Sequence, residues 1–420
     1  MKTFIGFREA LDLTLANVYV GPTEILPLSR LTGRILAENI TSRVDCPSIS
    51  SSRKDGYAVR SLDLAGASKE NPAILEVVGT LAAGETSKVK IKKGQAVRIT
   101  TGAPLPEGAD AVLSEEFCQR NADKIAAINT ADPGRNIQAR GKDIRRKEPV
   151  AEKNTKLSPA RIGLLAAAGH ASARVYNLPR AAVIATGDEV VAPGKPLPEG
   201  KIYASNMVEI CSWLSLLGLD YKADLVSDRK EDIATTLTKY APNVDLFLTS
   251  GGAWGSEKDL ILDVVENLNW QGLYHRVRMG PGKPVGFGLL QNKPFFFLPG
   301  GPPSNEMAFL QLAIPAMLKM MGANPVLFPF ASARLAKTVN GKRGWTDFVH
   351  ARLENREDQL WVRPARLKSG LQSMARKEAL IIIPEDRDEI DAGETIAIQL
   401  LTLSSCIPFA GATNLKGYGL

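Results

Sequence analysis

Only four cysteines and three histidines occur among 420 residues, and their scarcity removes whole classes of function. Cys46, Cys118, Cys211 and Cys406 are far apart and match neither a zinc spacing nor a disulfide framework, as in a reduced, cytoplasmic protein. His170, His275 and His350 are too few for a histidine-rich metal centre. No apolar run approaches the length of a membrane span. Near the N-terminus Arg8, Glu9 and Asp12 interrupt Phe7, Leu11 and Leu15, which is no signal peptide. There is no arginine-rich tract and no interleaving of aromatic with basic residues. The net charge of +7 and pI near 9.1 therefore favour a small anionic ligand over nucleic acid.

What is present is an ordinary globular composition, 44% hydrophobic and 23% charged, in a chain long enough for several domains. The texture changes along it. Residues 1–42, with Ile25–Glu38 as a second apolar-periodic segment, read as a helical platform to which residues 146–178 return. Between them, residues 43–145 hold short β-rich runs separated by turns such as Asp55-Gly56 and Ala83-Gly84, an inserted β-rich domain. From 179 to 322 strands alternate with helices. The strands are Ala181–Ala185, Lys222–Val226, Asp245–Thr249, Leu273–Met279 and Phe295–Leu298. The helices are Ser205–Leu217, Lys230–Tyr240 and Leu260–Leu268. Such alternation predicts a largely parallel sheet covered on both faces. Ser304 reads as the N-cap of a following helix that Pro315 should kink. Residues 323–420 turn β again and predict a small C-terminal β domain. The fold class is α/β multidomain.

Asp245–Asp259 (DLFLTSGGAWGSEKD) organises the functional reading. A strand, the small turn Ser250-Gly251-Gly252 and a helix start present backbone N–H groups and a helix dipole to an anion. Every βα unit needs some such turn, so this stretch alone is weak evidence. Its force comes from recurrence, because each α/β strand ends in polar, glycine-rich sequence. The other loops are Thr186-Gly187-Asp188-Glu189, Ser227-Asp228, Gly280-Pro281-Gly282-Lys283-Pro284 and Pro299-Gly300-Gly301-Pro302-Pro303-Ser304. Loops at the carboxyl ends of parallel strands border one crevice. Backbone N–H groups, Ser250 and Lys283 suit phosphate or another oxyanion. Glu189, Asp228 and Asp259 suit a hard divalent cation bridged to phosphate, although carboxylates after strands also serve as helix caps. Carboxylates beside a phosphate repel it unless a cation intervenes, so magnesium-assisted cleavage of a phosphoanhydride makes sense of the mixture.

At this point the chain resembles the molybdopterin molybdenumtransferases, from about Phe7 to Leu401. The likeness rests on Asp55-Gly56-Tyr57-Ala58-Val59, on Arg98 to Asp110 (RITTGAPLPEGAD), on Gly134-Arg135-Asn136-Ile137 with Gly141-Lys142-Asp143-Ile144, and on the five loops in order. The resemblance implies an elongated homodimer of four-domain subunits. The substrates it implies are adenylylated molybdopterin and molybdate. Adenylate is hydrolysed with Mg2+ or another divalent cation, and AMP and molybdenum cofactor are released. It places catalytic acids at Asp55, Asp143, Glu189, Asp228 and Asp259, with the last three at the metal. Substrate contacts fall on Thr101, Thr186, Gly187, Ser250, Gly251, Gly252, Lys283, Pro299, Gly300, Pro302 and Ser304. Asp55 and Asp143 belong to the β-rich domain, so the resemblance implies a site shared between subunits.

The residues also admit plainer roles: Asp55-Gly56 as a hairpin turn, Thr101 as a strand end, Asp143 within a solvated charged run, Trp254 as packing. The chain departs from the family pattern at Ser52-Arg53-Lys54, at Trp254-Gly255-Ser256, at Gly280 in place of a lysine, and at Pro299-Gly300-Gly301-Pro302. These departures mark a divergent subgroup and leave open a tungstate-inserting paralogue. An adenylyltransferase acting on molybdopterin shares the Ser-Gly-Gly turn but not the extra β domains. A pterin-binding scaffold without turnover would not need the acidic set, which is intact.

Overall fold

The computed structural model describes residues 1–86, 88–251, 260–365 and 369–401, and the chain forms two compact units, Met1–Glu24 with Tyr176–Leu420, and Ile25–Val175. The first unit begins with β1 (Lys2–Gly6) and α1 (Phe7–Ala16). Its main run is β2 (Ala181–Thr186), α2 (Ser205–Leu216), β3 (Tyr221–Val226), α3 (Lys230–Tyr240) and β4 (Leu246–Ser250). There follow α4 (Leu260–Glu266), β5 (Trp270–Gly280), β6 (Gly286–Leu290), β7 (Lys293–Leu298) and α5 (Pro302–Ala308).

The sheet order is β3-β2-β4-β7-β6-β5. The first four strands are parallel and β6 is antiparallel to both neighbours. Sequence dictates where each strand sits. β4 and β7 are apolar without alternation because helices cover both faces. Phe295, Phe296 and Phe297 are all fully buried, each stabilising the fold by about 1.5–3 kcal/mol. On α3, Ile233, Leu237 and Tyr240 form the buried stripe, while Glu231 and Asp232 in the first turn and Lys239 in the last complement the helix dipole. The expected strands recur within one to three residues at their ends, and Lys230–Tyr240 is helical as read. The strand Gly286–Leu290 was not anticipated. Its Gly288 hides the pattern, and glycine stands there because Trp270 occupies the space a side chain would take, with a Cβ falling 2.2 Å from the ring.

The helix after β7 differs from expectation at its start. Gly301 is the N-cap and Pro302 the first residue, so Ser304 lies in the first turn and caps nothing. Proline at the first position sacrifices no helical hydrogen bond, which makes this the natural start. Pro315 falls in the first turn of α6 (Ile314–Met320), and the segment before it, Phe309–Ala313, widens to a π-helical turn. That widening accommodates the missing N–H.

The unit closes with β8 (Phe330–Leu335), β9 (Thr346–Arg356), β10 (Gln359–Pro364), α7 (Gly370–Arg376), β11 (Ala379–Ile383) and β12 (Thr395–Leu400). β9-β10-β8-β12-β11 return to β9, a closed five-stranded ring around Leu335, Val362, Ile381, Ile383 and Ile398. This is the small C-terminal β domain. It joins the larger sheet where Met279 and Gly280 pair with Thr346 and Asp347.

The second unit is built on a six-stranded sheet. In order its strands are Ala111–Ser114, Gly56–Val59, Gln95–Ile99, Ala73–Leu81, Lys124–Ala127 and Cys118–Asn121, with a hydrophobic core on either face. A helix over Pro159–Ala167 starts at Ser158, whose hydroxyl accepts from the Arg161 N–H. The expected helix Ile25–Glu38 is absent. Thr23–Pro27 is extended, Leu28–Arg30 makes one 3-10 turn, and Ile35 and Leu36 bridge to Lys156 and Val175. Pro27 and Gly33 (φ +78°) break the helix, and the apolar spacing serves an irregular core of Leu26, Leu31, Leu36 and Ile40. No helix among the described residues is long and apolar enough to cross a membrane.

Candidate active site

Strand register fixes the crevice. Thr186 at the end of β2 pairs with Val226 of β3, Ala185 with Ser250 of β4, and Ser250 with Leu298 of β7. Four parallel strands therefore end level. The loops that follow, at Gly187, Ser227, Gly251 and Pro299, emerge along one sheet edge. A cleft there is lined by Thr186, Glu189, Asn206, Ser250, Gly251, Gly300 and Pro302, together with residues of the 202–207 segment.

Gly251 sets the steric condition for this cleft. Its φ is +97°, and a Cβ would lie 2.3 Å from the Thr186 carbonyl oxygen. Any side chain would push the two loops apart, so the backbone can approach a ligand only with glycine here. The walls are pinned from two helices. Asn206 of α2 donates to the Gly300 carbonyl at 2.8 Å. Asn305 of α5, buried, donates to the Pro299 carbonyl at 2.7 Å and to Ser250 Oγ at 3.1 Å. Neither asparagine stood out in the sequence. The available signal was Asn305-Glu306 inside an otherwise apolar helix, where polar side chains imply buried partners.

The acidic residues gather at the Thr186 loop. Glu189 bends back so that its carboxylate lies against Gly187, within 2.8–2.9 Å of where a Cβ would stand. Asp228 is latched to its neighbour by a reciprocal pair. The Asp188 N–H donates to Asp228 Oδ2 at 3.1 Å, and the Asp228 N–H donates to Asp188 Oδ1 at 3.2 Å. Asp188, which the sequence reading passed over, thus holds the Asp228 loop beside Glu189. Lys201 donates to the Asp188 carbonyl at 2.6 Å and brings a cation to this loop. Gly252 and Asp259 lie outside the described residues.

A divalent cation fits this donor set in kind. Glu189 and Asp228 supply hard oxygen ligands from adjacent loops, and magnesium is commonly held by one or two carboxylates plus substrate phosphates. Among the described residues no cluster of three or more such ligands stands preassembled.

Lys283 is placed differently. It follows β5 at the same end of the sheet, but it does not line the cleft of Glu189. Its ammonium lies over two aromatic rings, 5.5 Å from the centroid of Phe4 and 5.8 Å from that of Trp345. These partners give the lysine a structural reason to be basic that its Gly-Lys-Pro context conceals. Beside it a second cavity, of about 630 Å3, is bordered by Gly280, Pro281, Pro303, Lys342, Asp347 and His350, among others. Gly280 is enforced here: a Cβ would fall 2.1 Å from Asp347 Oδ1.

The remaining sequence candidates belong to the second unit. Asp55 opens no hairpin; it leads into the strand Gly56–Val59, and Oδ1 accepts from Thr101 N–H at 2.7 Å and Thr101 Oγ1 at 2.9 Å. Those hydrogen bonds, the backbone one foremost, hold its carboxyl below the usual carboxylate range. Asp143 is exposed and accepts from Gln138 Nε2 at 3.2 Å. Gln138 pairs with Ser51, so a short ladder links the segments that carry the two acids. Thr101, an exposed residue, is thereby a partner of Asp55 through both its N–H and its hydroxyl.

Comparison with known proteins covers the chain in three parts. Residues 5–169 match the MoeA N-terminal region (domain I and II). Residues 182–319 match a probable molybdopterin binding domain, and residues 332–401 the MoeA C-terminal region (domain IV). Molybdopterin molybdenumtransferase 2 of Mycobacterium tuberculosis is 31% identical over 90% of this chain and 95% of its own length. The molybdopterin molybdenumtransferase of Bacillus subtilis is 31% identical over 95% of each chain. A molybdopterin biosynthesis MoeA protein of Pyrococcus horikoshii has the same fold, with a TM-score of 0.83 and 32% identity over 94% of this chain and 99% of its own.

Proposed function

The chain belongs to the molybdopterin molybdenumtransferase family, and from that premise we propose that it inserts molybdate into adenylylated molybdopterin, releasing AMP and molybdenum cofactor. The observation that carries the reading is the level ending of four parallel strands, which gathers Thr186, Glu189, Ser250, Gly251 and Gly300 at one cleft with Asp228 latched alongside.

In this reading the N–H groups after β4, with Ser250, Thr186 and Gly187, receive the anionic phosphate, and Pro299, Gly300, Pro302 and Ser304 form the opposite wall. Glu189 and Asp228, joined by Asp259, would hold Mg2+ or a similar cation. When bound, that cation neutralises phosphate charge and supports attack on the phosphoanhydride. The carboxylates fix its place, the glycine turn excludes side chains that would displace the ligand, and Lys283 attracts the oxyanion. Asp55, Asp143 and Thr101 complete the site. They lie in the 43–145 domain of a four-part division (1–42 with 146–178, 43–145, 179–322, 323–420). We place them against the crevice of a second subunit, in a cytoplasmic homodimer.

Incubation with adenylylated molybdopterin, molybdate and Mg2+ tests the reading. Molybdate-stimulated AMP release supports it. Pyrophosphate release from ATP and molybdopterin would make the chain an adenylyltransferase, and binding without either product would make it a scaffold.

A further inference from the structure

A histidine on the wall of the second cavity is held in a way that packing alone does not require. His350 of β9 borders that cavity with Gly280, Lys342, Asp347 and Ser373. Its side chain is only 10% exposed, and Nε2 lies 2.9 Å from Oε2 of Glu306, a carboxylate with no exposed surface. The other carboxylate oxygen, Oε1, accepts from Lys377, just past α7. Lys377 is likewise 10% exposed and also donates to the Met374 carbonyl at 3.0 Å. Groups from β9 and from the end of α7 thus close on one buried carboxylate of α5.

The chemistry of this contact fixes the tautomer. A carboxylate paired with an ammonium is held in its charged form and can only accept hydrogen bonds. Nε2 therefore carries the proton and donates it to Glu306, which leaves Nδ1 with its lone pair. Nδ1 has no hydrogen-bond partner among the described residues. Because Nε2 faces a sealed carboxylate, the exposed edge of the ring is the opposite one, on the cavity. An imidazole oriented by a carboxylate at one nitrogen and open at the other is built as a general base.

Helix α5 puts this base next to the crevice. Pro302 borders the crevice of Glu189 and Ser250, Pro303 borders the second cavity, and Glu306 stands one turn further along the same helix. The two spaces adjoin across the first turn of α5. We propose that His350 is the base that deprotonates the dithiol of the pterin as the oxyanion is inserted, with Glu306 as its positioning residue. The proposal rests on the molybdate-insertion reading, in which Lys283 draws the oxyanion to this side of α5. The step balances without a further reactant. Two S–H bonds and one metal–oxygen bond break, two metal–sulfur bonds form, and the metal keeps its oxidation state. Nδ1 takes a proton from sulfur and passes it to the departing oxide. The second thiol proton follows the same route, so the oxide leaves as water and the imidazole returns to its starting form.

Nitrogen NMR of the whole protein with isotope-labelled histidine tests the tautomer without turnover. The chain has three histidines, so His170→Gln and His275→Gln assign the remaining signals to His350. The neutral ring should show a protonated Nε2 and a bare Nδ1. In Glu306→Gln the amide oxygen still serves Lys377, and the amide N–H turns toward the ring, so the ring proton should move to Nδ1. That variant and His350→Gln should both lose about 100-fold or more in kcat for molybdate-dependent cofactor formation. KM for adenylylated molybdopterin should stay near wild type, a split that general loosening of the fold would not give. An Nδ1–H tautomer in the wild type would overturn the proposal, even if the variants failed to fold. So would a wild-type kcat in His350→Gln. A wild type with the expected tautomer but no molybdate-stimulated AMP release would instead overturn the molybdate-insertion reading, and with it the dithiol as the source of the proton.

Discussion

At Gly280 and Asp347 a single pair of residues separates this chain from a lysine-bearing loop. Because a Cβ at 280 would meet Asp347 Oδ1 at 2.1 Å, Gly280→Lys alone should lower Tm. Combining it with Asp347→Ala should recover much of the loss, and a double-mutant cycle measured by denaturant unfolding reads that coupling. Additive effects would show that the two sites do not interact. Lys283 makes a separate prediction. Its aromatic partners are exposed enough that the cation–π contacts contribute only about 0.5–1 kcal/mol, so Lys283→Ala should fold. If it attracts molybdate, a charge-assisted bond of about 1.5–3 kcal/mol is lost, and KM for molybdate rises by about tenfold or more. An unchanged KM would leave Lys283 a surface contact of Phe4 and Trp345. Those partners were invisible in the sequence because they stand some 280 and 60 positions away. The positions of Glu189, Asp228 and Ser250 at strand ends were legible because each lies within four residues of an apolar run.

At the scale of elements, the crevice depends on two helices whose asparagines hold its loops. Asn305→Ala would leave the Pro299 carbonyl and Ser250 Oγ without their partner in a buried place, at a cost of about 1–3 kcal/mol. Thermal unfolding should report that loss, and substrate KM should rise with it; a KM that stays constant would mean the wall holds without the asparagine. The α/β elements were readable because alternating runs of apolar β-formers and amphipathic helices differ in period, as with Phe295–Leu298 beside Lys230–Tyr240. The segment Ile25–Glu38 was misread because helical spacing of Leu28, Leu31 and Ile35 also suits an irregular core, and Pro27 and Gly33 were underweighted. β6 escaped because at Gly288 the Trp270 ring fills the space of a side chain. Local patterns report what a residue is, and packing against distant residues decides what it does.

For the whole molecule, the acids of the second unit and the crevice of the first lie in one chain, and the proposed site joins them across a dimer. Mixing is the test. Inactive Asp55→Asn and Glu189→Gln homodimers, dissociated and reassociated together, should regain roughly a quarter of wild-type activity, because half the dimers carry one intact site of two. No recovery, with mixed dimers demonstrated by differential tagging, would confine each site to one subunit.

Asp228 offers the most direct test of hydrolysis in the crevice, since its latch to Asp188 uses a backbone N–H and one carboxylate oxygen that asparagine can reproduce. The measurement is molybdate-dependent AMP release from adenylylated molybdopterin, comparing wild type with a folded Asp228→Asn variant at saturating Mg2+. A drop of about 100-fold or more, as for loss of one electrostatic contact to a developing charge, is the predicted result. Release at the wild-type rate would remove Asp228 from the chemistry and the divalent cation from this cleft.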